Sequence, residues 1–254
     1  MQPNYAIEAS LAAMQARGLL KAGGIRRVAV IGAGLDFADK NSGFDFYPSQ
    51  TVQPFAVLDS LRRLGLGAAS GNVEIVALDI SPRVTEHIGR ARADAARGAA
   101  YTLRLPLDRS REWLAPFRGY WKTFGDRVGV PVAAASTERI AARADVRAVR
   151  IAAADVQRVA AADLNIVTQR LAGEPFDLVI ATNVFVYYDV FEQALALSNV
   201  EAMLALGGFL LSNTALPELR ALTLRRVGSL ATRYTQDDVG DEIGWYRRTP
   251  GSER

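Results

Sequence analysis

Apolar positions along the 254-residue chain fall into two rhythms, short unbroken runs and helical spacings, and their order is that of an α/β protein. Ile7, Leu11 and Met14 share one helical face, so a leading helix is expected within about residues 1–22, stopped by Gly23-Gly24. Val28-Ala29-Val30-Ile31 is a short apolar run closed by Gly32-Ala33-Gly34, the pattern of a strand buried in a parallel sheet. A second helix is expected from near Ser49 to Leu64, with Val52, Phe55, Leu58, Leu61 and Leu64 on one face. Val73 to Ile80 reads as the second strand, and Ser81-Pro82 as the start of a helix. Val146 to Ile151 reads as a strand and Phe176 to Ala181 as a strong fourth one, followed by an amphipathic helix from Phe191 to Ala205. Gly207 to Asn213 is then a fifth strand, entered through Gly207-Gly208. A short helix around Glu218 to Leu222 and strand-like runs near Thr223 to Tyr234 and Ile243 to Arg248 complete the pattern. Gln236 to Asp241 would join those runs as a terminal antiparallel pair.

Two stretches interrupt the alternation. Asp36 to Pro48 is a polar and aromatic segment, expected as a loop that is either a wall or lid of a site or a packed connector. From about residue 98 to 143, Tyr101, Trp113, Phe117, Tyr120, Trp121 and Phe124 crowd between Pro and Gly residues. That segment is expected to be an insertion, either covering a site or packing irregularly on its own. Thr249 to Arg254 reads as a tail.

Composition narrows the function classes. With 50% hydrophobic and 22% charged residues, the chain can bury a sizeable core. No apolar run reaches the ~18–20 residues of a membrane span, and Met1 to Gly24 lacks the apolar core of a signal peptide, so a cytoplasmic location is expected. Absence of Cys excludes disulfides, thiolate catalysis and Cys-zinc sites. No metal is expected. The net charge is +3, and the arginines are interleaved with acids rather than gathered in a block. They read as solvated helix faces and argue against a nucleic-acid partner.

Candidate chemistry gathers at strand ends. Gly32 and Gly34 allow a tight turn that brings bare backbone N–H groups near a ligand. Asp79 ends the second strand, where a carboxylate can accept both hydroxyls of an adenosine ribose; the same residue could instead cap the next helix. A nicotinamide-dependent oxidoreductase fits less well. Phe37 stands at the third position of the glycine fingerprint, and Asp79 lies 45 rather than ~20 residues beyond Gly34. His87, the sole histidine, is expected on the surface or in the core rather than as a base.

Strand, glycine turn, helix, strand ending in Asp79, and a late helix–Gly-Gly–strand with a two-strand tail together resemble a class I S-adenosylmethionine-dependent methyltransferase. The stretch from Glu174 to Asp189, with Thr182-Asn183-Val184-Phe185-Val186-Tyr187-Tyr188 at its end, is similar to the fourth-strand motif of chemotaxis-receptor methyltransferases. The resemblance runs from about residue 26 to 250, outside the 36–48 and 98–143 segments. It implies a Rossmann-like, doubly wound, mostly parallel seven-stranded sheet with a terminal antiparallel strand, in a single domain over 1–254. It further implies S-adenosyl-L-methionine as cofactor, with Gly32 and Gly34 near its methionine part, Asp79 on the ribose and Ile80 against the adenine. Asp163, Leu164 and Asn165 would line the adenine edge, with Asp155 a rival for that role, and Asn183 and Val184 would sit beside the sulfonium. Tyr187, Tyr188 and, more remotely, Tyr47 are candidates to face a small-molecule acceptor. No general base is assigned, because the sulfonium is already an activated methyl donor. The alternative from another class is a non-catalytic relative that binds a partner.

Overall fold

The apolar run after Arg26 does form the central strand. In the computed structural model, which describes residues 1–39, 44–68, 71–134 and 143–251, β1 (Arg27–Ile31) pairs in parallel with β4 (Glu74–Asp79) on one side and β9 (Phe176–Ala181) on the other. The sheet continues through β8 (Val159–Asp163) beyond β4, and through β10 (Leu204–Ser212), β12 (Gly240–Arg248) and β11 (Leu224–Arg233) beyond β9. The order is β11-β12-β10-β9-β1-β4-β8, with β12 antiparallel to both its neighbours and every other adjacent pair parallel. This is the expected Rossmann-like, mostly parallel seven-stranded sheet with a terminal antiparallel strand.

Alternation along the central strands sends side chains into two cores. Val28, Val30, Ile75, Ala77, Leu178 and Ile180 face one layer, and Ala29, Ile31, Val76, Leu78 and Val179 face the other. The first layer holds α1 (Gln2–Ala16), α2 (Gln53–Arg63) and α3 (Pro82–Ala96). The second is covered by α6 (Val190–Met203), whose Ala196, Leu197 and Val200 are buried. Ile7, Leu11 and Met14 of α1 are buried as their spacing predicts. α2 is shorter than expected and buried on nearly all sides, polar Asp59 included. Asp59 is kept there by the Arg63 guanidinium and the Arg127 backbone N–H.

Four expectations are corrected. Asp36 to Pro48 is not a loop: β2 (Asp36–Asp39) and β3 (Phe44–Gln50) form an antiparallel hairpin, with residues 40–43 outside the described set. The aromatic segment is regular rather than irregular. β5 (Tyr101–Asp108), β7 (Ala144–Ile151) and β6 (Gly129–Val132) make a separate antiparallel sheet, with α4 (Ala115–Thr123) between β5 and β6; residues 135–142 are outside the described set. The strand expected at Val146–Ile151 is therefore part of this added sheet. The third strand of the main sheet is instead β8, after the short α5 (Ala153–Val156). Its Val-Ala-Ala-Ala-Asp sequence has weak strand propensity, but it pairs with β4 along its whole length and packs against α3. Finally, no helix forms at Glu218–Leu222; only a turn at residues 220–221 is present. The Thr249–Arg254 tail is described only to Gly251.

If α1 is an integral part of the core, Leu11→Ala, at a fully buried position, costs about 2–5 kcal/mol. The check is urea unfolding followed by circular dichroism, read as a lowered midpoint with an unchanged slope.

Candidate active site

A cleft of ≈ 280 Å³ opens at the carboxyl edge of the sheet, lined by Ile31, Gly32, Leu78, Asp79, Ile80, Leu164, Ile166, Asn183, Val184, Tyr187 and Tyr188. These residues come from the ends of β1, β4, β8 and β9, the crevice where doubly wound sheets take ligands. Gly32 has φ +69° and Gly34 φ +64°, conformations that favour glycine. The turn they make is tied down twice. Gly32 N–H donates to the Leu78 carbonyl at 2.8 Å, and Gly34 N–H donates to Asp79 Oδ2 at 3.0 Å. A Cβ on Gly32 would lie 2.6 Å from Val184 Cγ2, so the absence of a side chain there lets the β1 and β9 ends close on each other.

Asp79 is 8% exposed, and its other oxygen accepts the Ser81 N–H at 2.9 Å. Each carboxylate oxygen thus accepts one backbone donor and keeps capacity for another. The capping alternative is not realised: Ser81 is the N-cap of α3, and no side-chain oxygen accepts from the first turn of that helix. Ile80 is 64% exposed beside it. Among the described residues that line the cleft, Asp79 alone is a carboxylate and none is cationic. Burial raises the Tyr188 hydroxyl above its ordinary pKa, and the charges of Glu192 and Asp79 add to the shift.

Eight of the expected residues are thus brought together: Gly32, Asp79, Ile80, Leu164, Asn183, Val184, Tyr187 and Tyr188. Gly34 lies just behind them, its N–H spent on Asp79. Asp163 and Asn165 are exposed and not among the lining residues. The Asn165 side chain accepts the Val167 N–H at 3.0 Å, and its backbone N–H donates to Gln169 Oε1 at 2.8 Å, so it caps the local turn. Asp155, the rival for the adenine edge, lies before the amino end of β8, away from the cleft, where it pairs with Arg62 and with Arg158. Tyr47 is in β3, but its side chain is outside the described set.

His87 is held away from the lining. Its Nε2 is 2.8 Å from the Tyr101 hydroxyl, which accepts the Thr51 N–H at 3.0 Å. Sequence reasoning missed Ile166, which is buried against the cleft. It also missed Asn213, which follows β10 and bonds reciprocally with Asn183 at 2.8 and 2.9 Å. An Asn directly after an apolar strand was the available signal for Asn213.

No family model matches the chain, and no curated protein matches it. Among solved structures, it is similar to the N-methyltransferase NodS from Bradyrhizobium japonicum WM9, at 15% identity over 96% of this chain and 97% of that one, with TM-score 0.44. Magnesium protoporphyrin IX methyltransferase (ChlM) from Synechocystis PCC 6803 with bound SAM aligns at 11% identity over 96% and 79%, with TM-score 0.41. The glycopeptide N-methyltransferase MtfA aligns at 14% identity over 96% and 74%, with TM-score 0.37. These are likenesses of overall architecture; the Rossmann-like fold stands on the strand order itself.

Two outcomes follow from this geometry. Gly32→Ala combines a left-handed backbone cost of roughly 1–2 kcal/mol with the contact to Val184 and lowers the urea midpoint accordingly; adding Val184→Ala recovers only the contact part. Burial, with the Arg90 charge, holds the His87 pKa below its ordinary 6.5. The unfolded chain then binds more protons, so this contribution to stability is present above pH 6.5 and is lost as pH falls toward the lowered value. His87→Gln flattens the fall of the urea midpoint in that window.

Proposed function

We propose that the chain, acting as one domain over 1–254 in the cytoplasm, transfers a methyl group from S-adenosyl-L-methionine to a small-molecule acceptor. The observation that carries this reading is the Asp79 carboxylate, fixed by the Gly34 and Ser81 N–H groups in a mainly apolar cleft. Its remaining acceptor capacity suits two ribose hydroxyls, and Ile80, Leu164 and Ile166 offer apolar surface for an adenine. A single negative charge and no cation in the lining suit a positively charged sulfonium. The Glu174–Asp189 similarity to chemotaxis-receptor methyltransferases is consistent with this assignment but does not extend to their substrate.

When bound, the cofactor supplies an activated methyl group, and displacement needs only a nucleophile aligned behind it. The chain's own contribution is alignment and exclusion of water. Val184 and the close Gly32 turn wall the inner end, Asn183 stands beside it, and Tyr187 and Tyr188 border the opening toward an acceptor. Tyr188 keeps its proton at neutral pH, so it serves as a donor or a surface rather than as a base. A dinucleotide is disfavoured by the hairpin β2–β3. It follows the glycine turn directly, so no helix begins there to receive a pyrophosphate.

Calorimetric titration with S-adenosylmethionine, S-adenosylhomocysteine and NADH tests the reading. Micromolar binding of the adenosyl ligands, about −8 kcal/mol, is expected, with no binding of NADH. Asp79→Ala is expected to weaken it about a hundredfold, for two charge-assisted hydrogen bonds lost. A folded protein that binds neither adenosyl ligand would falsify the methyltransferase reading and leave the partner-binding one.

A further inference from the structure

The amide at the end of β9 is not free to choose its direction. Asn183, at φ +57°, donates its backbone N–H to Asn213 Oδ1 at 2.8 Å. A backbone N–H can only donate, so the Asn213 oxygen must be the atom that faces it. The Asn213 nitrogen then lies on the other side, where it donates to Asn183 Oδ1 at 2.9 Å and to Asp241 Oδ1 at 3.3 Å. With the Asn183 oxygen engaged in this way, its NH2 group is on the side away from Asn213, and Asn183 lines the cleft with Tyr187 and Tyr188. The brace continues behind. Asp241 Oδ2 accepts from the Tyr234 hydroxyl, and Tyr234 is 2% exposed. Burial first, then the hydrogen bond and charge of Asp241, push the Tyr234 pKa far above its usual value, so that hydroxyl remains a donor.

The geometry points to Asn213 as a positioning residue. Braced by Asp241 and Tyr234, it locks the Asn183 amide with its NH2 turned into the cleft, so that this end of the cleft takes a ligand oxygen rather than an amine N–H. The ligand part rests on the methyltransferase reading, in which that oxygen belongs to the acceptor, as a carbonyl, hydroxyl or carboxylate. Tyr187 and Tyr188 beside it suit a flat apolar body.

Side-chain amide NMR of the full, 15N-labelled chain tests this. Asn183→Asp assigns the Asn183 NH2 signals. Asn213→Asp is the test variant, because aspartate keeps the acceptor for the Asn183 N–H and loses the NH2; Asp241→Asn is the second variant, removing the charged brace alone. The wild-type Asn183 NH2 is expected near the rigid range, order parameter about 0.85, falling below about 0.6 in Asn213→Asp and falling less in Asp241→Asn. An Asn183 amide equally ordered in wild type and both variants, or already flexible in wild type, overturns the positioning role. Benzoate and benzamidine, flat probes that present acceptors and donors respectively, are then added to protein with S-adenosylhomocysteine. Benzoate alone shifting the Asn183 NH2 supports the oxygen assignment; benzamidine shifting it, or neither doing so, overturns that assignment. If S-adenosylhomocysteine itself fails to bind while the amide stays locked, the methyltransferase reading falls and the positioning role stands.

Discussion

The hydrogen bond from Gly34 N–H to the Asp79 carboxylate joins two strand ends 45 residues apart, and the cleft is built around it. It requires a left-handed residue at Gly34, a parallel β1–β4 pair in register, and a carboxylate at the last position of β4. Each requirement follows from ordinary backbone physics. Glycine meets the first without a Cβ penalty. The apolar runs of β1 and β4 meet the second because both their faces are covered. Gly32 adds a constraint from the other side, since its bare Cα lets Val184 close to van der Waals contact. The result is a mainly apolar cleft with one anchored charge in its lining.

The elements outside the seven-stranded sheet stiffen this edge from behind. The added sheet and α4 bring Phe117 and Tyr120 against Tyr5 of α1, at centroid distances of 5.7 and 5.6 Å. Phe117 also packs on Tyr234 at 5.5 Å. Tyr234 in turn donates to Asp241, which holds Asn213 beside Asn183. An aromatic cluster far from the cleft in sequence is thus physically continuous with Asn183, an exposed residue of its lining. None of residues 98–134 is among those that line the cleft.

The strands and helices with strong periodicity were legible because local pattern and tertiary burial agree. β1, β4, β9 and α1 are where the apolar spacing put them, within a few residues. The errors came where burial overrode propensity. β8 is alanine-rich and reads poorly as a strand, yet it pairs with β4 in full register from Ile75 to Asp79. Val146–Ile151 reads well as a strand but pairs with β5 and β6, because strand character says nothing of which sheet a strand joins. The hairpin at β2–β3 was invisible for a related reason: its polar and aromatic residues show no clean two-residue alternation.

By itself, the sequence determined the fold class, the glycine turn and the acid at the end of β4. These depend on residue type and on spacing within one element, and Gly32, Gly34 and Asp79 carry their chemistry locally. Tertiary structure decided which residues share the cleft. Leu164 and Ile166 face it while Asn165, between them, turns away to cap its own turn. It also decided that Asn183 is met by Asn213, 30 residues later, and Asn213 by Asp241 a further 28 on. Such pairings come from strand order and from directional hydrogen bonds between separate strand ends. A linear pattern records neither.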